Sequence, residues 1–164
     1  MFQVPVISRY YYSNPNLRLY QITGGRGSTE RKSAILFFHG AGFSTNQVTP
    51  SQFQHHASVF ASYGMLAFCV EYRPASVEGL YSPLTCLAHA RAAIRWVRQH
   101  ADTLGIDVHR IVAAGASAGG YLSLCCAMME ERGESVSSKP DACLLFNAGI
   151  PNRCSHCSRK KQTH

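Results

Sequence analysis

The sequence predicts an α/β fold, a mostly parallel sheet flanked by helices, on three observations. Four short runs at 33–38 (SAILFF), 65–72 (MLAFCVEY), 110–115 (RIVAAG) and 142–147 (ACLLFN) are apolar at consecutive positions. That is the pattern of strands covered on both faces. Between the runs lie patterns with three-and-four spacing, so strand alternates with helix. Two glycine-rich stretches, HGAGF (39–43) and GASAGG (115–120), follow directly on apolar strands. In open α/β sheets that edge is where ligands gather.

Taken in order, LRLYQIT (17–23) alternates and ends at Gly24-Gly25, which predicts an early strand and a turn. The aromatic residues of YYYSNPNLRLY just before it are expected to pack. A helix is expected over 52–62, between the first two apolar runs. The strongest helical pattern is SPLTCLAHARAAIRWVRQHADTLG: Ser82 caps it, Pro83 suits the first turn and Gly105 the exit. Leu84, Leu87, Ile94, Val97, Ala101 and Leu104 make one buried stripe, and Arg91, Arg95 and Arg98 fall off it, as expected of a solvated face. A further helix is expected over 118–131, stopping at Gly133. After LLFNAGI the composition shifts to PNRCSHCSRKKQTH. The organisation expected is therefore a domain over 1–150 and a basic, unstructured tail over 151–164.

Composition narrows the function classes. The chain has 164 residues, 46% hydrophobic and 15% charged, which fits one globular domain. Of the formal charge of +7, Arg153, Arg159, Lys160 and Lys161 supply four, leaving +3 for residues 1–150. No basic stripe with interleaved aromatics stands out, so no nucleic-acid partner is expected. No run approaches the ~20 apolar residues of a membrane span. The start lacks a basic region followed by an apolar one, so it does not read as a secretory signal. The seven cysteines include Cys69 in a strand pattern and Cys125-Cys126 in a helix pattern, where they are expected to act as small core hydrophobes. A cytoplasmic, reducing compartment is the expectation. Cys154, Cys157 and His164 fall short of the four ligands a structural zinc site wants, so no metal and no cofactor is expected.

The chemistry gathers at two places. GASAG (115–119) is a G-x-S-x-G stretch between a strand and a helix, the context of a nucleophile elbow with Ser117 at its apex. The turn holds the serine in strained dihedrals and needs small neighbours, which Gly115, Ala116, Ala118, Gly119 and Gly120 provide. A bystander serine on a tight turn is the competing explanation. The second stretch, FFHGAGF (37–43), tips the balance. Acyl transfer needs backbone donors aimed at a developing oxyanion, and a glycine-rich loop on the same sheet edge supplies them. The natural set is the N–H groups of Gly40, Ala41 and Ala118.

FFHGAGF, VEYRPA, GIDVHRI and GASAGGYLSL together resemble the α/β-hydrolase fold, specifically the esterase/lipase branch related to hormone-sensitive lipase. The resemblance runs from about residue 34 to about 147. It implies a serine carboxylic-ester hydrolase acting on small-molecule esters, with Ser117 as nucleophile and Gly40, Ala41 and Ala118 as oxyanion donors. Ala41 departs from the glycine of that family's H-G-G-G loop, and Gly42 keeps it. His39 is implied to steady the loop rather than to act as base.

That family places its acid and histidine after the nucleophile. Here Glu130, Glu131, Glu134 and Asp141 fall at solvated positions remote from the elbow, and His156 and His164 lie in the tail. His109 opens the strand that ends at the elbow, about 20 Å from Ser117 at ~3.3 Å per residue. His55, His56, His89 and His100 are expected on helices beside the sheet, leaving His39 alone on the active edge. A full hydrolase domain needs ~200–250 residues. The expectation is a truncated hydrolase, a partial fold lacking the later strands and weakly active or inactive. The alternative function is a non-catalytic binder of a small acyl ligand. The strand 142–147, apolar and uncharged, is expected at an exposed sheet edge that favours self-association.

Overall fold

The computed structural model describes residues 1–23, 30–40, 42–43, 48–73, 75–77, 80–131 and 133–150. In chain order these form β1 (Val6–Ser13), β2 (Asn16–Ile22), β3 (Lys32–Phe38), a 3-10 turn (Pro50–Phe53), α1 (Gln54–Ser62), β4 (Leu66–Val70), β5 (Ala75–Val77), β6 (Leu80–Ser82), α2 (Pro83–Gln99), α3 (Ala101–Leu104), β7 (Ile106–Ala116), α4 (Ala118–Met128) and β8 (Ala142–Phe146). The expected tail at 151–164 lies outside the described residues, as does Ala41.

The continuous apolar runs have a simple cause. Successive strand residues face opposite sides of the sheet. Ala34, Leu36 and Phe38 of β3 join a core with Leu87, Ile94 and Val97 of α2 and Leu122 of α4. Ile35 and Phe37 join a second core on the other face, with Phe53, Ala57 and Ala61 from the 3-10 turn and α1. Both faces are covered, so no polar position interrupts the strand.

The six-stranded sheet has the order β1-β2-β4-β3-β7-β8. β4, β3, β7 and β8 run parallel, with Leu36 opposite Phe68 on one side and Ala113 on the other, and Leu144 opposite Ala114. β1 and β2 form an antiparallel hairpin, and β2 joins β4 antiparallel. The sheet is thus mixed at one edge and parallel through its centre. β8 is an edge strand, as expected, and Leu145 on it is exposed.

Several expectations are corrected. β1 is an addition to the expected strands: it is solvated along most of its length and only Tyr11 is buried, so apolar patterning does not mark it. The Tyr11 hydroxyl donates to the Glu71 carbonyl oxygen at 2.5 Å, tying the hairpin to the end of β4. The β5–β6 ribbon is a second addition; Ser82 closes β6, and α2 begins at Pro83. Leu84 is exposed, whereas Cys86, Ala90 and Ala93 complete the buried stripe. The helix pauses at His100 before α3, which ends at Gly105 in the left-handed region (φ 68°), the exit expected of that glycine. α4 ends at Met128 rather than at 131, where Met129 turns extended (φ −93°, ψ 120°).

The largest correction concerns Arg91, Arg95 and Arg98, expected on a solvated face. Their side chains are only 15%, 17% and 14% exposed. They grip the connection from α4 to β8. Arg91 donates to the Met129 carbonyl at 3.0 Å, and Arg95 pairs with Glu131 at 2.5 Å. Arg98 donates to the carbonyls of Val108, Ser137 and Lys139 and to Asp141 Oδ2. Asp141 in turn accepts the Ile111 N–H at 2.9 Å, which sets where β8 meets β7. Asp141 stays exposed, as expected, and Glu131 is half-buried; both also serve as structural anchors.

Cys69, Cys86, Cys125 and Cys126 are buried and form no disulfide, and burial pushes Cys69, Cys86 and Cys126 up to about 12. They act as core hydrophobes. Among the described residues no helix is long and apolar enough to cross a membrane. The fourfold role of Arg98 gives a stability test. Arg98→Ala removes one charged donor from four acceptors, the half-buried Val108 carbonyl and the exposed Ser137, Lys139 and Asp141 oxygens. The urea midpoint is expected to fall by an amount equivalent to about 1–3 kcal/mol with the slope unchanged.

Candidate active site

The elbow at Ser117 is built by close packing. β7 ends at Ala116 and α4 begins at Ala118, so a single residue turns the chain. A Cβ on Gly115 would stand 2.5 Å from the Gly119 carbonyl carbon and 2.6 Å from the Phe38 oxygen. One on Gly119 would stand 2.0 Å from that same oxygen, and one on Gly120 would stand 2.7 Å from Ala148 Cβ. Real Cβ atoms do not come that near, so glycine is required at all three. The first turn of α4 is thereby pressed onto the end of β3. Ser117 takes up the strain, with φ 50° and ψ −114°, and stays exposed. For a residue with a Cβ such a conformation costs ~1–3 kcal/mol and persists only where its surroundings over-determine it.

Those surroundings are visible. The Ser117 N–H donates to the Phe146 carbonyl at 3.2 Å, and the Ser117 carbonyl accepts the N–H groups of Tyr121 at 2.9 Å and Gly149 at 3.2 Å. The end of β8 and the residues after it, including Asn147 at φ 44°, hold the elbow from the far side. The first N–H groups of α4 have no helical acceptor and form the positive end of the helix dipole.

The second loop stands against the first. A Cβ built on Gly40 would lie 3.4 Å from Ser117 Cβ and 3.0 Å from the Ala116 oxygen. The two glycine-rich stretches thus meet, as the sequence predicts. Gly42 and Phe43 both have φ 60°, and the Phe43 ring meets Tyr121 of α4 edge-on at 5.5 Å. The Gly40 N–H donates to Gln52 Oε1 at 2.8 Å, so this expected oxyanion donor is already engaged.

His39 is 3% exposed and stacks on Tyr72 with ring centroids 4.2 Å apart and planes 12° apart. The Tyr72 hydroxyl donates to the His39 carbonyl at 2.5 Å. Burial lowers the imidazole to about 4, against a smaller raising influence of the Gly40 and Tyr72 backbone. Among the described residues nothing hydrogen-bonds its Nδ1, so no carboxylate orients it. It has the neutral, braced form of a structural histidine. His39 is not alone at this edge, contrary to expectation. His56, in the first turn of α1, lies edge-on to Phe146 at 5.6 Å and to Phe53 at 5.3 Å. Sequence reasoning gives no role to Tyr72, Gln52 or Tyr121. The VEYRPA stretch could have flagged Tyr72, but Gln52 leaves no signal. Among the described residues no cluster of three His, Cys, Asp or Glu side chains could hold a metal.

The BD-FAE family model matches residues 21–161. The chain belongs to this α/β-hydrolase family. It is similar to Lipase 2 of Moraxella sp. (strain TA144), 40% identical over 101 residues, which is 58% of this chain and 22% of that protein. It is also similar to Esterase LipI of Mycobacterium tuberculosis (strain ATCC 25618 / H37Rv), 32% identical over 109 residues, 65% of this chain and 31% of that one. Among solved structures, native esterase Est2 of Thermogutta terrifontis superposes with a TM-score of 0.77 at 38% identity, covering 87% of this chain and 53% of that one. The same esterase phosphonylated by cyclosarin gives 0.81 at 34% identity, covering 97% and 62%. The chain therefore spans less than a third of the two curated relatives and somewhat over half of these solved ones. The family members it matches are esterases and lipases, and the mostly parallel sheet flanked by helices is the part of their fold that it shares.

The buried imidazoles make stability depend on pH. Burial also lowers His89 below the ordinary histidine value of 6.5. The native state refuses protons that the unfolded chain accepts, so the contribution is complete above 6.5 and is lost as pH falls toward about 4. The ceiling for His39 is about 3 kcal/mol. Urea melts are expected to weaken steadily from pH 7 to pH 4.5, and His89→Gln is expected to flatten part of that slope.

Proposed function

We propose that this chain carries the nucleophile of a serine carboxylic-ester hydrolase acting on small-molecule esters. The observation that carries it is the exposed Ser117 at φ 50° on the N-terminus of α4, with the Gly40 backbone packed beside it. In the proposed reaction Ser117 Oγ attacks the ester carbonyl carbon and its proton passes to a base. The carbonyl π electrons move onto oxygen, and the resulting anion is met by backbone N–H groups. The tetrahedral species collapses, the C–O bond to the alcohol breaks, the alcohol leaves with a proton, and water later releases the acid from the acyl-enzyme. With the Gly40 N–H held by Gln52, Ala41 and Ala118 remain of the expected donors, and the α4 dipole favours the same charge.

His39 is buried, neutral and without a carboxylate on its Nδ1, and His56 has no carboxylate bonded to it among the described residues. In this proposal the acid and histidine of the triad come from neither, and residues 1–150 are the nucleophile-bearing part of the enzyme. Loss of a triad member leaves ~10³–10⁴-fold catalysis over water from the oxyanion hole and binding. Faint hydrolysis of activated short-chain esters is therefore expected of these 164 residues alone. The Thermogutta esterase has been captured with propionate and butyrate bound, which favours short acyl groups as first substrates to try. The second reading, a non-catalytic holder of an acyl ligand, is favoured by the same lack of an oriented base.

The test is the pH–rate profile on p-nitrophenyl butyrate for the parent chain, Ser117→Ala, His39→Ala and His56→Ala. The expected profile is low and has no inflection at pH 6–7 in the parent or in either histidine variant, and Ser117→Ala lowers it by little in absolute terms, to the part that the oxyanion hole and binding supply without the serine. Vigorous turnover with an inflection that disappears in one histidine variant would place the base within this chain. Rates equal in the parent and Ser117→Ala would favour the binder.

A further inference from the structure

The Gly40 N–H is the point where the oxyanion loop leaves β3, and it is occupied by a side chain for which the reaction has no other use. We infer that Gln52 is a positioning residue: its side-chain carbonyl takes the Gly40 N–H and so fixes the path by which the loop passes Ser117. This inference rests on Ser117 as the nucleophile.

Gly40 is constrained from two directions. Its Cα side leaves no more than van der Waals room against Ala116 and Ser117, and its N–H is bound by Gln52 at 2.8 Å. Gln52 is exposed, but the backbone that carries it is anchored. Gln52 sits in the 3-10 turn, with its own N–H donating to the Thr49 carbonyl at 3.1 Å. Its neighbour Phe53 is buried and stacks on Phe37 with centroids 5.2 Å apart. Phe37 is only three residues ahead of Gly40 on the same run of chain. The turn is thus docked on β3, and the Gln52 side chain reaches back to the loop that β3 feeds. Further along that loop the backbone is unfavourable for an unsupported chain, since Gly42 and Phe43 both sit at φ 60° and Phe43 has a Cβ.

The choice of side chain has a chemical sense. The anchor must be an acceptor, to satisfy an N–H, and it must be neutral. A carboxylate would hold the N–H as well or better, but it would set a negative charge beside the place where the substrate oxygen gains one. A carboxamide accepts without that penalty.

The experiment compares the parent chain with Gln52→Leu and Gln52→Glu by two readouts. One is amide exchange at Gly40 in the 15N-labelled protein. The other is the rate at which diisopropyl fluorophosphate modifies Ser117. In Gln52→Leu, Gly40 exchange is expected to rise about tenfold, the scale of one lost hydrogen bond, and modification to slow, with the melting temperature lowered by no more than a few degrees. In Gln52→Glu, Gly40 stays protected, modification is slower than in the parent at pH 7, and the deficit narrows as pH falls through 5. A purely structural role would not produce that pH signature. Unchanged Gly40 exchange in Gln52→Leu would overturn the inference. So would faster modification in Gln52→Leu, which would make the side chain an obstruction. If the parent is not modified at all, the proposal for Ser117 fails, and Gly40 exchange still decides whether Gln52 holds the loop.

Discussion

Everything at the candidate site depends on how closely the first turn of α4 is pressed onto the end of β3. Gly119 lies so near the Phe38 carbonyl that a Cβ there would be 2.0 Å from the oxygen, and Gly115 is enclosed between the same oxygen and Gly119. A helix that begins this close to the preceding strand leaves one residue to turn the chain. Ser117 therefore sits at positive φ, exposed, ahead of the unsatisfied N–H groups of α4. The same proximity brings the residues after Phe38, which are His39 and Gly40, against the elbow. The proposed nucleophile and the proposed oxyanion loop are thus two consequences of one packing contact.

A strained turn needs support from outside itself, and the fold provides it in layers. The end of β8 and the residues after it hydrogen-bond both peptide units of Ser117. β8 is in turn positioned by Asp141 and Arg98, and the connection leading to it is gripped by Arg91 and Arg95. On the other side, the stack of His39 on Tyr72 closes the loop from below. Because that imidazole is buried neutral, it braces without adding charge near the site. The arginines on α2 are therefore linked to the chemistry through β8: they set where β8 lies, and β8 holds the elbow.

The legible parts of the fold and site share a physical reason. β3, β4 and the end of β7 are covered on both faces, so their residues are apolar without interruption, and glycine in GASAGG is forced by contact at each position. Local chemistry dictates those residues. β1 and the β5–β6 ribbon were not legible, since a solvated antiparallel strand such as β1 has no buried face to pattern. Arg91, Arg95 and Arg98 read as solvent-facing because helical spacing tells which residues leave the α2 stripe, not what chain passes over them. Their partners lie up to 43 residues away. Gln52 was invisible for the same reason: a single polar residue twelve positions from Gly40 carries no periodicity. The bracing role of His39 came from a resemblance, while the stack on Tyr72 that explains it emerges only when β4 lies beside β3.

The central claim is that packing alone, without an oriented base in residues 1–150, makes Ser117 a competent if slow nucleophile. The Thermogutta esterase has been phosphonylated by sarin, and phosphorus reagents report attack without requiring the later hydrolytic step. The most direct measurement is peptide mapping by mass spectrometry after prolonged incubation with excess diisopropyl fluorophosphate. The account predicts a single adduct, on Ser117, approaching one per chain and abolished by prior unfolding in urea. No adduct, or one that forms equally on the unfolded chain or on other hydroxyls, would contradict it.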